Sequence, residues 1–136
     1  MINKALFQKT VTPLLGKALG AYTNRHKTIA ANIANVEVPD YNRRTLAFEE
    51  ELKEALSVNG KGLSRTHPKH MPVRSSLDDV RGRIDIDRSE PKLNAVNNVD
   101  IDHETAAMAQ NQLNFNTLAT TLRMEYQRIR MAIRGQ

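Results

Sequence analysis

The sequence predicts a mainly α fold, with long N- and C-terminal helices pairing antiparallel as a coiled coil, a short third helix, and an irregular or small β middle segment. Three observations predict it. Apolar residues recur every three or four positions from Leu15 to Val36; a seven-residue register runs from Met108 to Ala132; and the stretch between is broken by Pro, Gly and charge. A lone amphipathic helix is marginal in water, so the two stripes should cover each other. Residues 1–36 then hold a leader and core helix, 37–93 a middle segment, and 94–136 the second core helix. The two terminal parts form one discontinuous domain.

Composition suits that shape. The 136 residues are 40% hydrophobic but only 4% aromatic, with no Trp, which fits an elongated helical chain better than a compact enzyme core. A net charge of +5 permits an acidic partner, although a solvated basic surface is the plainer reading. No cysteine is present, which excludes disulfides and thiolate metal sites. Lys9, Thr10 and Thr12 interrupt any signal-peptide core, and no apolar run reaches the roughly 18 residues of a membrane span.

In the first helix Thr12 reads as the N-cap and Pro13 as the first helical residue. Leu15, Ala18, Leu19, Tyr22, His26, Ile29, Ile33 and Val36 form its stripe. His26 on that stripe is more often a packed, hydrogen-bonded histidine than a ligand. Asn32 and Asn35 lie one turn apart, and their amides compete for backbone groups, which marks a helix end or a specific hydrogen-bonded contact. Val38 precedes Pro39 and is biased to extended backbone, so the helix stops near Asn35 or Val36 and Pro39-Asp40 turns the chain.

The short helix is expected over Leu46 to Leu56, with Glu49 to Glu51 as a solvated face, and Ser57 to Gly62 as a break. From Leu63 to Pro91 a loop with a small hairpin is expected, Asp78-Asp79 to Gly82 in or near its turn. His67 and His70 flank Pro68 and lack further ligands for a tetrahedral set, so no metal is expected. The basic residues there are not interleaved with aromatics, which argues against single-stranded nucleic acid. No nucleophile and base constellation points to an enzyme or a cofactor.

Asn94 to Asp102 is a polar connector, with Asp102 as N-cap of the last helix and Glu104 in its first turn, where negative charge suits the dipole. Met108, Phe115, Leu122 and Ile129 occupy one core position; Asn111, Leu118, Glu125 and Ala132 occupy the other. Leu113, Tyr126 and Ile133 flank the stripe, and Arg123, Arg128, Arg130 and Arg134 gather at the C-terminal end. The helix-packing set is Leu15, Leu19, Tyr22 and Ile29 against Met108, Phe115, Leu118, Leu122 and Ile129.

Asn32-Ile33-Ala34-Asn35, three residues, Pro39, one residue, Tyr41 resembles a motif of the bacterial flagellar rod and hook proteins, Ala-x-Asn-Ile-Ala-Asn-x-x-Thr-Pro-Gly-Tyr, and Ala30 fits it too. Val38 stands for Thr and Asp40 for Gly; the second departure leaves the turn type open, since Gly favours a positive φ. Asn97 to Asp102, Glu104, Met108, Ala109, Asn111, Gln112, Leu113 and Phe115 resemble the start of the family's C-terminal helix. Leu46, Phe48 and Thr66 to His70 add to the likeness, which is nearest to the short proximal rod subunits. The resemblance implies a subunit of the drive shaft crossing the periplasm, self-associating through its terminal helices in a helical assembly. It implies as partners other rod subunits, the inner-membrane ring with its rod adaptor, and the flagellar type III export gate, with export lacking a cleavable signal peptide. Phe7 and Val11 resemble a short export motif. Two rival readings are the neighbouring short rod-subunit type and a basic helical adaptor for nucleic acid or membrane.

Overall fold

The computed structural model describes residues 11–60, 80–90 and 96–135. Among the described residues the elements in order are α1 (Thr12–Ala34), β1 (Arg44–Ala47), α2 (Glu49–Gly60), β2 (Arg83–Ile86) and α3 (Ile101–Arg134). The long terminal helices pack together antiparallel, since Asn32 lies beside Glu104, Tyr22 beside Asn111, and Leu19 and Leu122 line one groove. Among the described residues no helix is long and apolar enough to cross a membrane.

α1 starts one residue earlier than its Thr-Pro pair suggests. Val11 already has helical angles (φ −71, ψ −11), and its carbonyl accepts the Leu15 N–H at 3.0 Å, so Thr12 is helical and not the cap. Its side chain is buried instead of reaching back over the helix end. Leu15, Ala18, Ala21, Thr28, Ile29 and Asn32 form the covered face, with Leu19, Tyr22 and Ile33 half-buried. His26 lies outside it and is exposed, contrary to the packed role the stripe suggests. At 100° per residue the buried line passes from Tyr22 through Arg25 to Ile29, one position to the side.

The middle segment differs from expectation in its pairing. Leu46 belongs to β1 rather than to the short helix, and β1 pairs antiparallel with β2 in the register Arg44↔Ile86, Leu46↔Ile84. The strands flank α2 in sequence, so no local hairpin forms within residues 80–90, and Asp78-Asp79 lies outside the described residues. Leu46 and Phe48, two apart, are both buried, a period of two that a helical reading of LAFEEELKEAL obscures. α2 continues through Ser57–Gly60, where turn-forming residues suggest a break. Ser, Val and Asn disfavour helix only mildly, and the helix reaches the glycine.

A small core joins the pieces. Ala18 and Ala21 of α1, Leu46, Phe48, Ala55 and Val80 form it, with Leu52 and Leu118 packed against them. The two alanines let the β1–α2 corner approach α1 closely. Arg25 holds that corner with a fork on Glu49 (Nη1 to Oε1, 2.6 Å) and a bond to the Leu46 carbonyl at 3.0 Å. The Arg25 hydrogen bond is the main reason the Glu49 carboxyl sits below its ordinary range, and the same bond raises the Arg25 guanidinium. A depressed carboxyl stabilises the fold above its ordinary pKa of 4.5, and that gain is lost as pH falls through the folded value. Because Glu49 is exposed, the gain is below about 1 kcal/mol. Glu49→Gln should therefore reduce stability slightly at neutral pH and not at the acid end, read by thermal melts across the range.

α3 starts at Ile101 and not after Asp102. Asp100, in extended backbone, is the N-cap and accepts the Asp102 and His103 N–H groups at 3.1 and 3.3 Å. Asp102 is left in the first turn, exposed to solvent. The seven-residue register faces α1: Met108, Phe115, Leu122, Ile129, Leu118 and Glu125 are half-buried and Asn111 is buried. Ala132 is exposed, since α3 has 34 residues against the 23 of α1 and its end outruns the described partner. Gly135 closes the helix in left-handed backbone (φ 73), donating to the Met131 carbonyl.

Candidate functional site

The site lies where α1 ends and α3 begins. Asn35 leaves helical geometry (φ −110, ψ 16), Val38 N–H bonds the Asn35 carbonyl at 3.1 Å, and Tyr41 N–H reaches back to the Val38 carbonyl at 3.4 Å. That closes a turn over Pro39 and Asp40, with Asp40 at φ 58. Pro followed by a positive-φ residue is the pattern of a type II turn, which explains why glycine suits this position and why a short polar side chain is tolerated. Asp40→Gly should raise stability by about 0.5 kcal/mol and Asp40→Val should lower it by about 1–2 kcal/mol, read by urea denaturation.

A helix end packed in a fold must find donors for its carbonyls. Here one side chain adds to the turn's own bonds: Asn97 Nδ2 lies 2.9 Å from each of the carbonyl oxygens of Asn35, Val36 and Val38, while its Oδ1 accepts the Val99 N–H. Asn98 ties the next strand, with Oδ1 accepting the Arg43 N–H at 2.8 Å and Nδ2 donating to the Asp87 carbonyl at 2.8 Å.

Asn32, wholly buried, sits between the helices. Its Nδ2 donates to the Arg44 carbonyl at 2.8 Å and to Glu104 Oε2 at 2.9 Å; its Oδ1 accepts from Tyr41 Oη at 3.1 Å and Arg44 N–H at 3.0 Å. Both donors and both acceptor sites of the amide are used, so no apolar residue of the same size can replace it without leaving partners unmet. Glu104, 1% exposed, receives Arg43 Nε on its other oxygen at 2.6 Å. A charge so deeply buried persists only when paired and hydrogen-bonded, and it is both. The result is one network from the α1 end through β1 to the α3 start.

Of the residues the motif singles out, Asn32 and Tyr41 meet in this network and Pro39 and Asn35 shape the turn beside it. Asn35 is local: its side chain bonds the Ala31 carbonyl of its own helix at 2.6 Å. Ile33 is half-buried and Ala34 exposed. Val11 is exposed, and Phe7 lies outside the described residues, as do His67 and His70. Sequence reasoning singled out Asn97 and Glu104 only as members of the family-like run, without their contacts, and missed Arg43 altogether. Glu104 left a further signal, standing seven residues before Asn111 at the same core position.

Two long antiparallel helices, joined at one end by an asparagine-rich junction, define a mainly helical protein with a short helix and a two-stranded sheet between them. No protein-family model matches the chain. It is 34% identical over 107 residues to the flagellar basal body rod protein FlgB of Borreliella burgdorferi, covering 75% of this chain and 78% of the relative. To FlgB of Salmonella typhimurium it is 32% identical over 114 residues (78% and 80%), and to FlgB of Aeromonas hydrophila 26% over 122 residues (88% and 89%). The chain belongs to the FlgB family of flagellar basal body rod proteins, and it is a structural subunit of the flagellar rod.

Proposed function

We infer that the chain is exported through the flagellar type III apparatus and polymerises through α1 and α3 as part of the proximal rod crossing the periplasm. The role is mechanical and not enzymatic. Its neighbours are other rod subunits and the inner-membrane ring with its rod adaptor. The observation that carries this reading is the meeting of the two family-like segments: Asn32 and Tyr41 from one, Asn97 and Glu104 from the other, in one buried junction. A junction of that kind sets the direction of the corner relative to the helix pair, and a shaft subunit needs that angle fixed. Leftover apolar side chains on α3, Leu113, Met124, Met131 and Ile133 among them, face outward, where neighbouring subunits supply cover.

Fractionation of basal bodies from a strain carrying a tagged chain, with electron microscopy of the deletion mutant, tests it. The reading predicts the protein in the rod fraction and rings without rods in the mutant. Intact rods in the mutant, and no protein in basal bodies, would overturn it. Asn32→Leu should abolish or sharply reduce motility, since Asn32 and not Asn35 crosses between elements; swarm-plate diameter reads it.

A further inference from the structure

The two-stranded sheet has one closed edge and one open edge among the described residues. β1 turns the N–H and carbonyl of Arg44 toward α1, where the Asn32 amide meets both, at 3.0 and 2.8 Å, as a neighbouring strand would. On the same edge the Leu46 carbonyl accepts Arg25 Nη2 at 3.0 Å. On its other side β1 pairs with β2, and the Asp87 N–H extends that ladder to the Arg43 carbonyl at 2.8 Å. Backbone groups alternate along an antiparallel strand, so Arg83, Asp85 and Asp87 face β1, and Ile84 and Ile86 aim their N–H and carbonyl groups outward. Among the described residues nothing bonds those outward groups, and the two isoleucines are 56% and 52% exposed. Open edges with exposed apolar side chains invite pairing with another chain, which is why most proteins cover or charge them. Ile84 also borders a groove between the sheet and α1, with Lys27, Thr28 and Ala31 on one wall and Arg44 and Leu46 on the other. Lys27 and Arg44 are its only charged residues, and among the described residues neither pairs with an acid. Arg44 instead lies over the Tyr41 ring, 5.7 Å from its centre. Asp85 and Asp87 stand on the opposite face of β2 from the two isoleucines, and Asp85 pairs with Arg83 at 2.7 Å.

We propose that β2 and this groove bind an extended acidic segment of another protein, which adds a third strand along Ile84 and Ile86. Backbone bonds to the open edge set its direction, aliphatic side chains of the segment cover the isoleucines, and a carboxylate reaches Lys27 and Arg44. Charge selects a foreign occupant over the chain's own segments outside the described residues. Residues 1–10 carry two lysines and no acid, 61–79 four Lys or Arg against two Asp, and 91–95 one lysine and no acid. All three are basic on balance and suit a basic groove poorly. This contact goes beyond the rod-subunit reading, because it uses the sheet and needs no polymerisation.

Nuclear magnetic resonance titration of the full, isotope-labelled chain with the peptide acetyl-Thr-Val-Thr-Glu-Thr-Val-Thr-amide tests this. As a strand the peptide shows Val, Glu and Val on one face. Amide signals of Gly82 to Asp87 should shift, and hydrogen exchange at Ile84 and Ile86 should slow by roughly tenfold or more at saturation. The peptide with Lys in place of Glu should bind more weakly by roughly tenfold or more, and one N-methylated throughout should not bind. Lys27→Glu with Arg44→Glu should reverse the preference between the Glu and Lys peptides, a gain of binding that unfolding does not produce. Circular dichroism of that variant should match the parent. No shift at Gly82 to Asp87, equal affinity for the two peptides, or an unchanged preference in the double variant would overturn the site. So would slow exchange at Ile84 and Ile86 without peptide: if sedimentation gives a monomer, one of the chain's own segments covers the edge, and if a dimer, a second copy does. Rods that contain a chain unable to bind the peptide sink this site alone; a chain that binds the peptide and is absent from rods sinks the rod reading alone.

Discussion

Glu104→Leu should cost about 3–5 kcal/mol of folding stability, the penalty for removing one partner of a buried ion pair. The carboxylate receives Asn32 Nδ2 and Arg43 Nε, and both are left facing a hydrocarbon side chain when it goes. Arg43 is only partly exposed, so water replaces the lost partner poorly. The comparison that identifies the cause is the double variant Glu104→Leu with Arg43→Met. Removing both charges relieves the stranded guanidinium, and the double variant should recover most of the loss despite carrying one more substitution. Urea denaturation of the four proteins gives the coupling. A Glu104→Leu cost under about 1 kcal/mol would mean the pair is well hydrated and the junction far weaker than its geometry states.

The second large effect is at Asn97. Its Nδ2 lies within hydrogen-bond distance of three carbonyls at the end of α1 and its oxygen accepts the Val99 N–H; since the Asn35 and Val38 carbonyls keep the Val38 and Tyr41 N–H groups, Asn97→Ala leaves chiefly the Val36 carbonyl and the Val99 N–H unmet, at about 2–3 kcal/mol. Asn97→Asp is the sharper test, because it keeps the shape and removes the donors. Its negative oxygens would face three carbonyl oxygens, so it should be worse than alanine although nothing is lost in packing. Hydrogen exchange should quicken at Val36, Val38 and Val99 in both variants, with the far end of α3 unchanged. Equal stability of the aspartate variant and the parent would contradict the capping role.

Much of the fold was legible because it rests on local periodicity. The stripe from Leu15 and the register Met108, Phe115, Leu122, Ile129 follow directly from 3.6-residue geometry, and both face each other in the structure. The stop before Val38-Pro39 was legible for the same kind of reason, a steric limit acting between neighbours. What was not legible depends on distance along the chain. β1 and β2 are separated by a whole helix, and no local signal tells Leu46 that its partner is Ile84. Asp102 looks as good a cap as Asp100, and the choice is made by where the Asn97-Asn98 segment anchors the chain.

The junction was half legible. Two asparagines within one helical turn flag a polar contact, and Asn32 proves to be fully bonded while Asn35 serves its own helix. Nothing in the spacing separates these two roles. Glu104 reads from the sequence as a dipole partner in the first turn, yet its heptad position places it inward beside Asn32. A buried acid at a core position costs stability unless partners meet it. That cost is what lets it select one arrangement among several of similar apolar content.

The account's central claim is that this junction holds the two terminal helices in one register. The chain has no cysteine, so spin labels can be placed on Thr23→Cys and Gln112→Cys, which rim the same cleft between α1 and α3. Pulsed electron resonance should give one narrow distance in the parent. When Asn32→Leu, Arg43→Met and Glu104→Leu are combined, the polar selection is gone and the apolar stripes remain. A second population should then appear, displaced along the helix by on the order of 10 Å, one heptad at 1.5 Å per residue. The same single narrow distance in both proteins would contradict the claim and assign the register to the apolar stripes alone.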